Sequence, residues 1–158
     1  MFITYRKAVK EDAMLLIDIY NSAFYADFCK FGECPGYGKS KEAMERAIVN
    51  YPKYIIYADY IAVGAISWKE KDTGKYEIGS LCIIPEYQRK GIGTKAFYDL
   101  LEQFEDWKEI SLVTPSSNQG NVSFCIEKCG FYIEDEILDG KVSLYRFIKK
   151  REYDEKWC

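Results

Sequence analysis

The segment Leu81-Cys82-Ile83-Ile84-Pro85-Glu86-Tyr87-Gln88-Arg89-Lys90-Gly91-Ile92-Gly93 concentrates the residue types that hold an anion. An apolar run ends, two glycines one residue apart follow, and a helix-compatible stretch begins at about Thr94. The first N–H groups of a helix have no intrahelical acceptors, and the aligned peptide dipoles put partial positive charge there. Glycine at 91 and 93 removes the Cβ atoms that would keep an anion away from the main chain. Arg89, Lys90 and Lys95 add formal positive charge to a chain whose net charge is −3. Together these features suit a diphosphate. The spacing is not the dinucleotide-binding pattern, whose third glycine would fall at Ala96, nor the phosphate loop of nucleotide hydrolases, which needs Gly-Lys before Ser or Thr. On residue types alone, a Gly-x-Gly pair ahead of a helix also serves plain packing.

Proton transfer must be done without histidine, because the chain contains none. That removes Ser–His and Cys–His nucleophile pairs and leaves carboxylate, tyrosine, lysine or cysteine. The six cysteines do not make a metal site: Cys125 and Cys129 stand at i, i+4, and Cys29 and Cys34 fall in a loop-like stretch. Buried, reduced thiols and no bound metal are expected. Asn121-Val122-Ser123 matches a glycosylation pattern, which carries no meaning without a secretory signal.

The elements that must position these residues are legible from periodicity. At 158 residues, 48% hydrophobic and 30% charged, the chain reads as one globular domain over residues 1–150 with a charged tail over 151–158. No apolar run is long enough for a membrane span, the start has no signal core, and a cytoplasmic location is expected. Net negative charge argues against nucleic-acid binding. Residues 2–7 alternate like a strand, and Ala13, Leu16, Ile17, Tyr20 and Phe24 recur at helical spacing. A loop-like stretch then runs from Tyr25 to Ser40, and Ser40 caps a second helix. Residues 54–58, 61–68 and 76–84 read as a three-strand antiparallel meander. A helix after Gly93, a strand over 110–114, a short helix over 121–129 and a hairpin turning at Asp139-Gly140 complete the chain. The order β-α-α-β-β-β-α-β-α-β-β predicts a mixed α/β fold.

Gln88-Arg89-Lys90-Gly91-Ile92-Gly93, with the preceding Leu-x-Ile-x-Pro-Glu-Tyr strand end, resembles the Gln/Arg-x-x-Gly-x-Gly/Ala signature of the GNAT superfamily of N-acetyltransferases. The segment ending Glu127-Lys128-Cys129-Gly130-Phe131 resembles that family's second motif, and the element order is similar over residues 2–148. The resemblance implies acetyl-CoA as co-substrate. It implies that the strand Leu81–Ile84 carries a bulge and splays from Ile110–Thr114, opening a V-shaped slot. Pantetheine would bond the main chain of Cys82 and Ile83, and the groups of Gln88, Arg89, Lys90, Gly91, Ile92, Gly93 and Thr94 would take the pyrophosphate. Asn118 or Asn121 would bond the pantetheine arm, although helix capping explains both asparagines equally well.

Glu77 stands eleven residues before Gln88, where some members of that family carry a catalytic glutamate. Its plain reading is a solvent-facing strand residue or the partner of a lysine. Two positions depart from the family pattern. Ile126, which cannot donate, stands where a tyrosine is usual, and Gln119 where an asparagine is usual, which leaves the general acid open: Tyr132 and Tyr145 are candidate stand-ins, and the thiolate can also leave unprotonated or take a proton from water. The acceptor side would be built from the first loop and helix, Phe24–Tyr37, with the hairpin near Asp139; there Phe24, Tyr25, Phe28, Phe31 and Tyr37 are interleaved with Asp27 and Glu33, although plain packing under a long loop explains most of these aromatics. Aromatic faces and carboxylates suit an ammonium, which favours a small cationic amine or an amino-terminal group. The competing reading is a non-catalytic acyl-CoA-binding module. A homodimer is left open.

Overall fold

In the computed structural model, which describes residues 1–32 and 34–152, the chain forms seven strands and four helices. In order these are β1 (Ile3–Lys7), α1 (Ala13–Phe31), α2 (Lys41–Asn50), β2 (Lys53–Ala58), β3 (Ile61–Asp72) and β4 (Lys75–Ile83). Then come α3 (Ile92–Gln103), β5 (Glu109–Pro115), α4 (Gln119–Ser123), β6 (Tyr132–Asp139) and β7 (Val142–Lys150). The expected element order holds. The strands run in the order β1-β2-β3-β4-β5-β7-β6, and β4 with β5 is a parallel pair in an otherwise antiparallel set of ladders.

The chain divides into two compact units, residues 1–69 with 79–97 and residues 70–78 with 98 onward. The first unit is held by an apolar cluster in which Leu16, Ile17 and Tyr20 of α1 meet Met44 and Ile48 of α2 and Ile55, Ala65 and Cys82 of the strands. Leu16 and Tyr20, and likewise Met44 and Ile48, are one helical turn apart, which puts each pair on one face. Ser40 caps α2 as expected, its hydroxyl accepting from the Ala43 N–H at 3.1 Å. In the second unit β5, β7 and β6 form antiparallel ladders, and the turn after Asp139 carries Gly140 at φ 62°. Tyr76 stacks on Phe104 at 4.0 Å between ring centroids.

Several boundaries differ from the sequence expectation. The stretch after Phe24 is not a loop: α1 continues to Phe31, because residues 25–31 contain no glycine or proline to stop it. Gly32 ends the helix at φ 77°, its N–H bonding the Phe28 carbonyl. Cys29 therefore sits exposed on a helix rather than buried in a loop, and Cys34 is only half-buried. β3 runs to Asp72, four residues beyond the expected end, and α3 begins at Ile92 instead of Thr94. The helix expected over 121–129 is divided into α4 and a wider π turn at Phe124–Lys128.

Candidate cofactor and catalytic site

In the first unit the segment expected to bind an anion is fixed by its own main chain. A short 3₁₀ turn, Pro85–Tyr87, follows β4, and the Gln88 side-chain amide reaches back to the Ile83 carbonyl at 2.8 Å. That bond ties the loop to the strand end. Arg89 and Gly91 lie at φ 62° and 80°, so the backbone doubles back twice before α3 starts. Left-handed residues of this kind turn successive N–H groups toward one concavity. A Cβ on Gly91 would meet nothing within 4 Å, so glycine is needed there for its backbone angle and not for space. The helix begins with the Lys95 N–H bonding the Gly91 carbonyl at 3.0 Å, which leaves the earlier N–H groups of the first turn without intrahelical acceptors. Gln88, Arg89 and Lys90 are exposed, Gly93 and Thr94 half-buried, and Ile92 is buried and anchors the turn.

β4 approaches β3 closely at one point. A methyl on Gly64 would overlap the Cys82 carbonyl, and the Ile84 N–H bonds the Val63 carbonyl at 2.8 Å. In an antiparallel pair alternate residues direct their main-chain groups to the same neighbour. Ile84, and Cys82 two residues before it, face β3, which turns the main-chain groups of Leu81 and Ile83 to the other edge. The Cys82 side chain is buried, and burial pushes its thiol up to about 12, so it is inert as a nucleophile.

The same unit contains a polar cluster that the sequence reading missed. Lys53, at 6% exposure, donates to the Tyr20 hydroxyl at 3.0 Å. Tyr20 is 2.6 Å from Ser80 Oγ, and Ser80 Oγ is 2.8 Å from Ser67 Oγ. Lys53 forms no ion pair among the described residues. Desolvation by burial lowers its ammonium to about 8, and also pushes the Tyr20 phenol well above its usual range. One signal was available: Lys53 shares strand parity with Ile55, so an inward Ile55 implies an inward lysine.

In the second unit Glu77 pairs with Lys71, Oε2 to Nζ 2.6 Å, which is the plain reading of this residue. It stands opposite Ser111 on the last of three β4–β5 rungs, Lys75↔Glu109, Tyr76↔Ile110 and Glu77↔Ser111. Beside it a cavity of about 130 Å³ is lined by Lys71, Lys75, Glu109, Ser111, Glu134 and Arg146, among others. Asn118 caps α4, its side chain accepting from the Asn121 N–H at 3.1 Å, and the Asn121 amide donates to Thr114 Oγ1 at 3.4 Å. Both asparagines are thus engaged within their own unit. Ile126 is exposed on the π turn, and Cys125 and Cys129 are buried, with desolvation pushing both thiols up to about 12. Among the described residues no group of His, Cys, Asp and Glu could hold a metal ion.

Three of the aromatics expected to meet an acceptor, Tyr25, Phe28 and Tyr37, pack on one another. Phe28 stacks on Tyr37 at 4.4 Å between centroids, Tyr25 tilts against Tyr37 at 6.0 Å, and the Gly38 N–H bonds Asn21. Burial raises the Asp27 carboxyl above its ordinary range. Glu33 and residues 153–158, most of the expected tail, lie outside the described residues. No described helix is long and apolar enough to cross a membrane.

Comparison with known proteins bears on the family and the fold. The family model described as Acetyltransferase (GNAT) family matches residues 16–131. An uncharacterized Bacillus subtilis (strain 168) protein, YrkN, is 31% identical over 70 residues, a match that takes in 44% of this chain and only 38% of that protein's length. The PaiA N-acetyltransferase of Thermoplasma acidophilum, solved in complex with coenzyme A, is 25% identical with a TM-score of 0.77, covering 96% of this chain and 100% of that one. An acetyltransferase from Thermus thermophilus superposes with a TM-score of 0.78 at 16% identity, over 96% of this chain and 98% of that one, a likeness of fold alone.

Proposed function

The chain belongs to the GNAT acetyltransferase family, and on that premise we propose that it moves the acetyl group of acetyl-CoA onto a primary amine by direct attack in a ternary complex. The observation that carries the reading is the loop from Gln88 to Thr94: left-handed Arg89 and Gly91, a Gln88 amide pinning the loop to β4, and exposed cationic side chains ahead of the first turn of α3. Such an N-terminus suits a pyrophosphate. The outward main-chain groups of Leu81 and Ile83 would bond the pantetheine arm as an added strand would. Cys82, expected beside Ile83 as a partner of the arm, would help only through its neighbours if it keeps the strand parity of the Ile84–Val63 bond. Asn118 or Asn121 would bond the pantetheine arm in addition to the bonds each makes within its own unit.

Glu77 would take a proton from the acceptor ammonium, directly or through a water, once Lys71 is displaced from it. The acceptor would be a small cationic amine or an amino-terminal group. The bonded state of Glu77 and the apolar Ile126 favour a second reading, an acyl-CoA-binding module that does no chemistry. Calorimetry with coenzyme A, then thiol release from acetyl-CoA against a primary-amine panel, separates the two: binding with turnover supports the enzyme, and binding without turnover the module. If Glu77→Gln keeps full turnover across pH, Glu77 is not the base.

A further inference from the structure

We propose, resting on the acetyl-CoA reading above, that the Lys53–Tyr20–Ser80 chain supplies the proton to the thiolate that leaves when the thioester is cleaved. Ser80 is the group that touches sulfur, and Tyr20 and Lys53 are positioning residues that recharge it.

An ammonium has donors only, so the Tyr20 oxygen accepts from Lys53 at 3.0 Å. Either hydroxyl can donate across the 2.6 Å between Tyr20 and Ser80, and the relay runs in the arrangement in which the Tyr20 hydrogen points to Ser80. The Ser80 hydrogen then rests on Ser67 Oγ at 2.8 Å. Ser67 is 2% exposed and closes the inner end, whereas Ser80 is half-buried and is the end a ligand can reach. Ser80 lies three residues after Glu77 and one before Leu81, in β4, the strand that on the reading above would carry the thioester arm. A buried ammonium without a carboxylate costs stability that packing alone does not require.

The step balances. The acceptor nitrogen bonds the thioester carbonyl carbon, the C–S bond breaks, and its electron pair stays on sulfur. The Ser80 proton moves to sulfur, the Tyr20 proton to the Ser80 oxygen, and a Lys53 proton to the Tyr20 oxygen, leaving Lys53 neutral. The acceptor ammonium loses two protons in becoming an amide nitrogen, one before attack and one as the C–S bond breaks; Glu77 would pass them to solvent, solvent returns one to Lys53, and one proton is released overall. The energetics match as well: an ordinary thiol titrates near ~8.5 and an ordinary lysine near ~10.4. With burial lowering Lys53 to about 8, the transfer to a thiolate is close to even. The groups facing Lys53 are Tyr20 of α1, Cys82 of β4, which opposes the shift, and Lys39 of the loop before α2, which adds to it.

The test measures kcat for acetyl-CoA with the best acceptor of a primary-amine panel, thiol release to water without acceptor, and coenzyme A affinity by calorimetry, for wild type, Tyr20→Phe, Lys53→Met, Lys53→Arg and Ser80→Ala. Lys53 works in its charged form, so wild-type kcat falls as pH rises through about 8. Tyr20→Phe, Lys53→Met and Ser80→Ala lower kcat about 100-fold and lose that limb, with coenzyme A affinity unchanged. Lys53→Arg keeps the charge but cannot release a proton, and is as slow as Lys53→Met. Ser80→Ala removes one hydroxyl and decides the matter should the Tyr20 or Lys53 variants not fold. Variants that match wild-type kcat and pH profile overturn the inference and leave the acetyltransferase reading standing, and a wild type that binds coenzyme A but releases no thiol overturns it too. A wild type that does not bind coenzyme A overturns the reading beneath it.

Discussion

The loop from Gln88 to Thr94 and the cluster of Lys53, Tyr20, Ser67 and Ser80 belong to the same unit yet are built on opposite principles. The loop presents main-chain N–H groups held by left-handed Arg89 and Gly91 and by the Gln88 amide, with its cationic side chains exposed around them. The cluster presents side chains alone, from α1, β2, β3 and β4, each useless without the others. Main-chain sites fail through backbone geometry, and side-chain sites fail through the loss of single atoms. The two should therefore respond to different mutations.

The largest effect is expected where β3 and β4 touch. Gly64→Val forces a side chain into the Cys82 carbonyl and the Ile83 side chain, and should destabilise the protein by ~3 kcal/mol in urea unfolding. Because it displaces β4, it should damage the loop and the cluster together. A mild effect there would break the claim that one strand positions both.

The next perturbation separates the pair through pH. Lys53 titrates at about 8 in the fold, below its ordinary 10.5, so between these values the unfolded chain holds a proton that the fold has shed. Stability from this group rises with pH across that window, by ~3 kcal/mol in all. The buried thiols of Cys82, Cys125 and Cys129 act in the opposite sense: their stabilisation is present below about 9 and lost as pH rises toward about 12. Both trends occur in wild type. Subtracting its unfolding profile from that of Lys53→Met isolates the lysine: the variant should be the more stable below pH 8, and the gap should close by pH 10.5. A constant gap would mean that Lys53 is not desolvated.

The loop was legible because its signal is local: two glycines, a strand end before them and a helix after them lie within about one turn of chain. The element order was legible for the same reason, each strand and helix carrying its own periodicity. Contacts across elements were not. Nothing near Tyr20 in the chain announces Lys53, and Glu77 reads identically whether it faces a ligand or Lys71, six residues away on the neighbouring strand. The end of α1 was misread for a different reason. Aromatic residues after Phe24 suggested a loop, but absence of a breaker governs helix length, and Gly32 is the first one.

The smallest effect belongs to the thiols. Cys29 is exposed on α1 and Cys82, Cys125 and Cys129 are buried, so a maleimide should label Cys29 at once and these three only on unfolding, read by mass spectrometry. Rapid labelling of Cys82 would place β4 in solvent and undo the contrast between the two regions.

The central claim is met most directly by calorimetric titration of coenzyme A into wild type and Gly91→Val. Valine at 91 cannot hold φ 80° without strain, so the account predicts saturable binding by wild type and affinity at least ~10-fold weaker in the variant. Absence of binding by wild type at millimolar coenzyme A, or equal affinity in the two proteins, would contradict it.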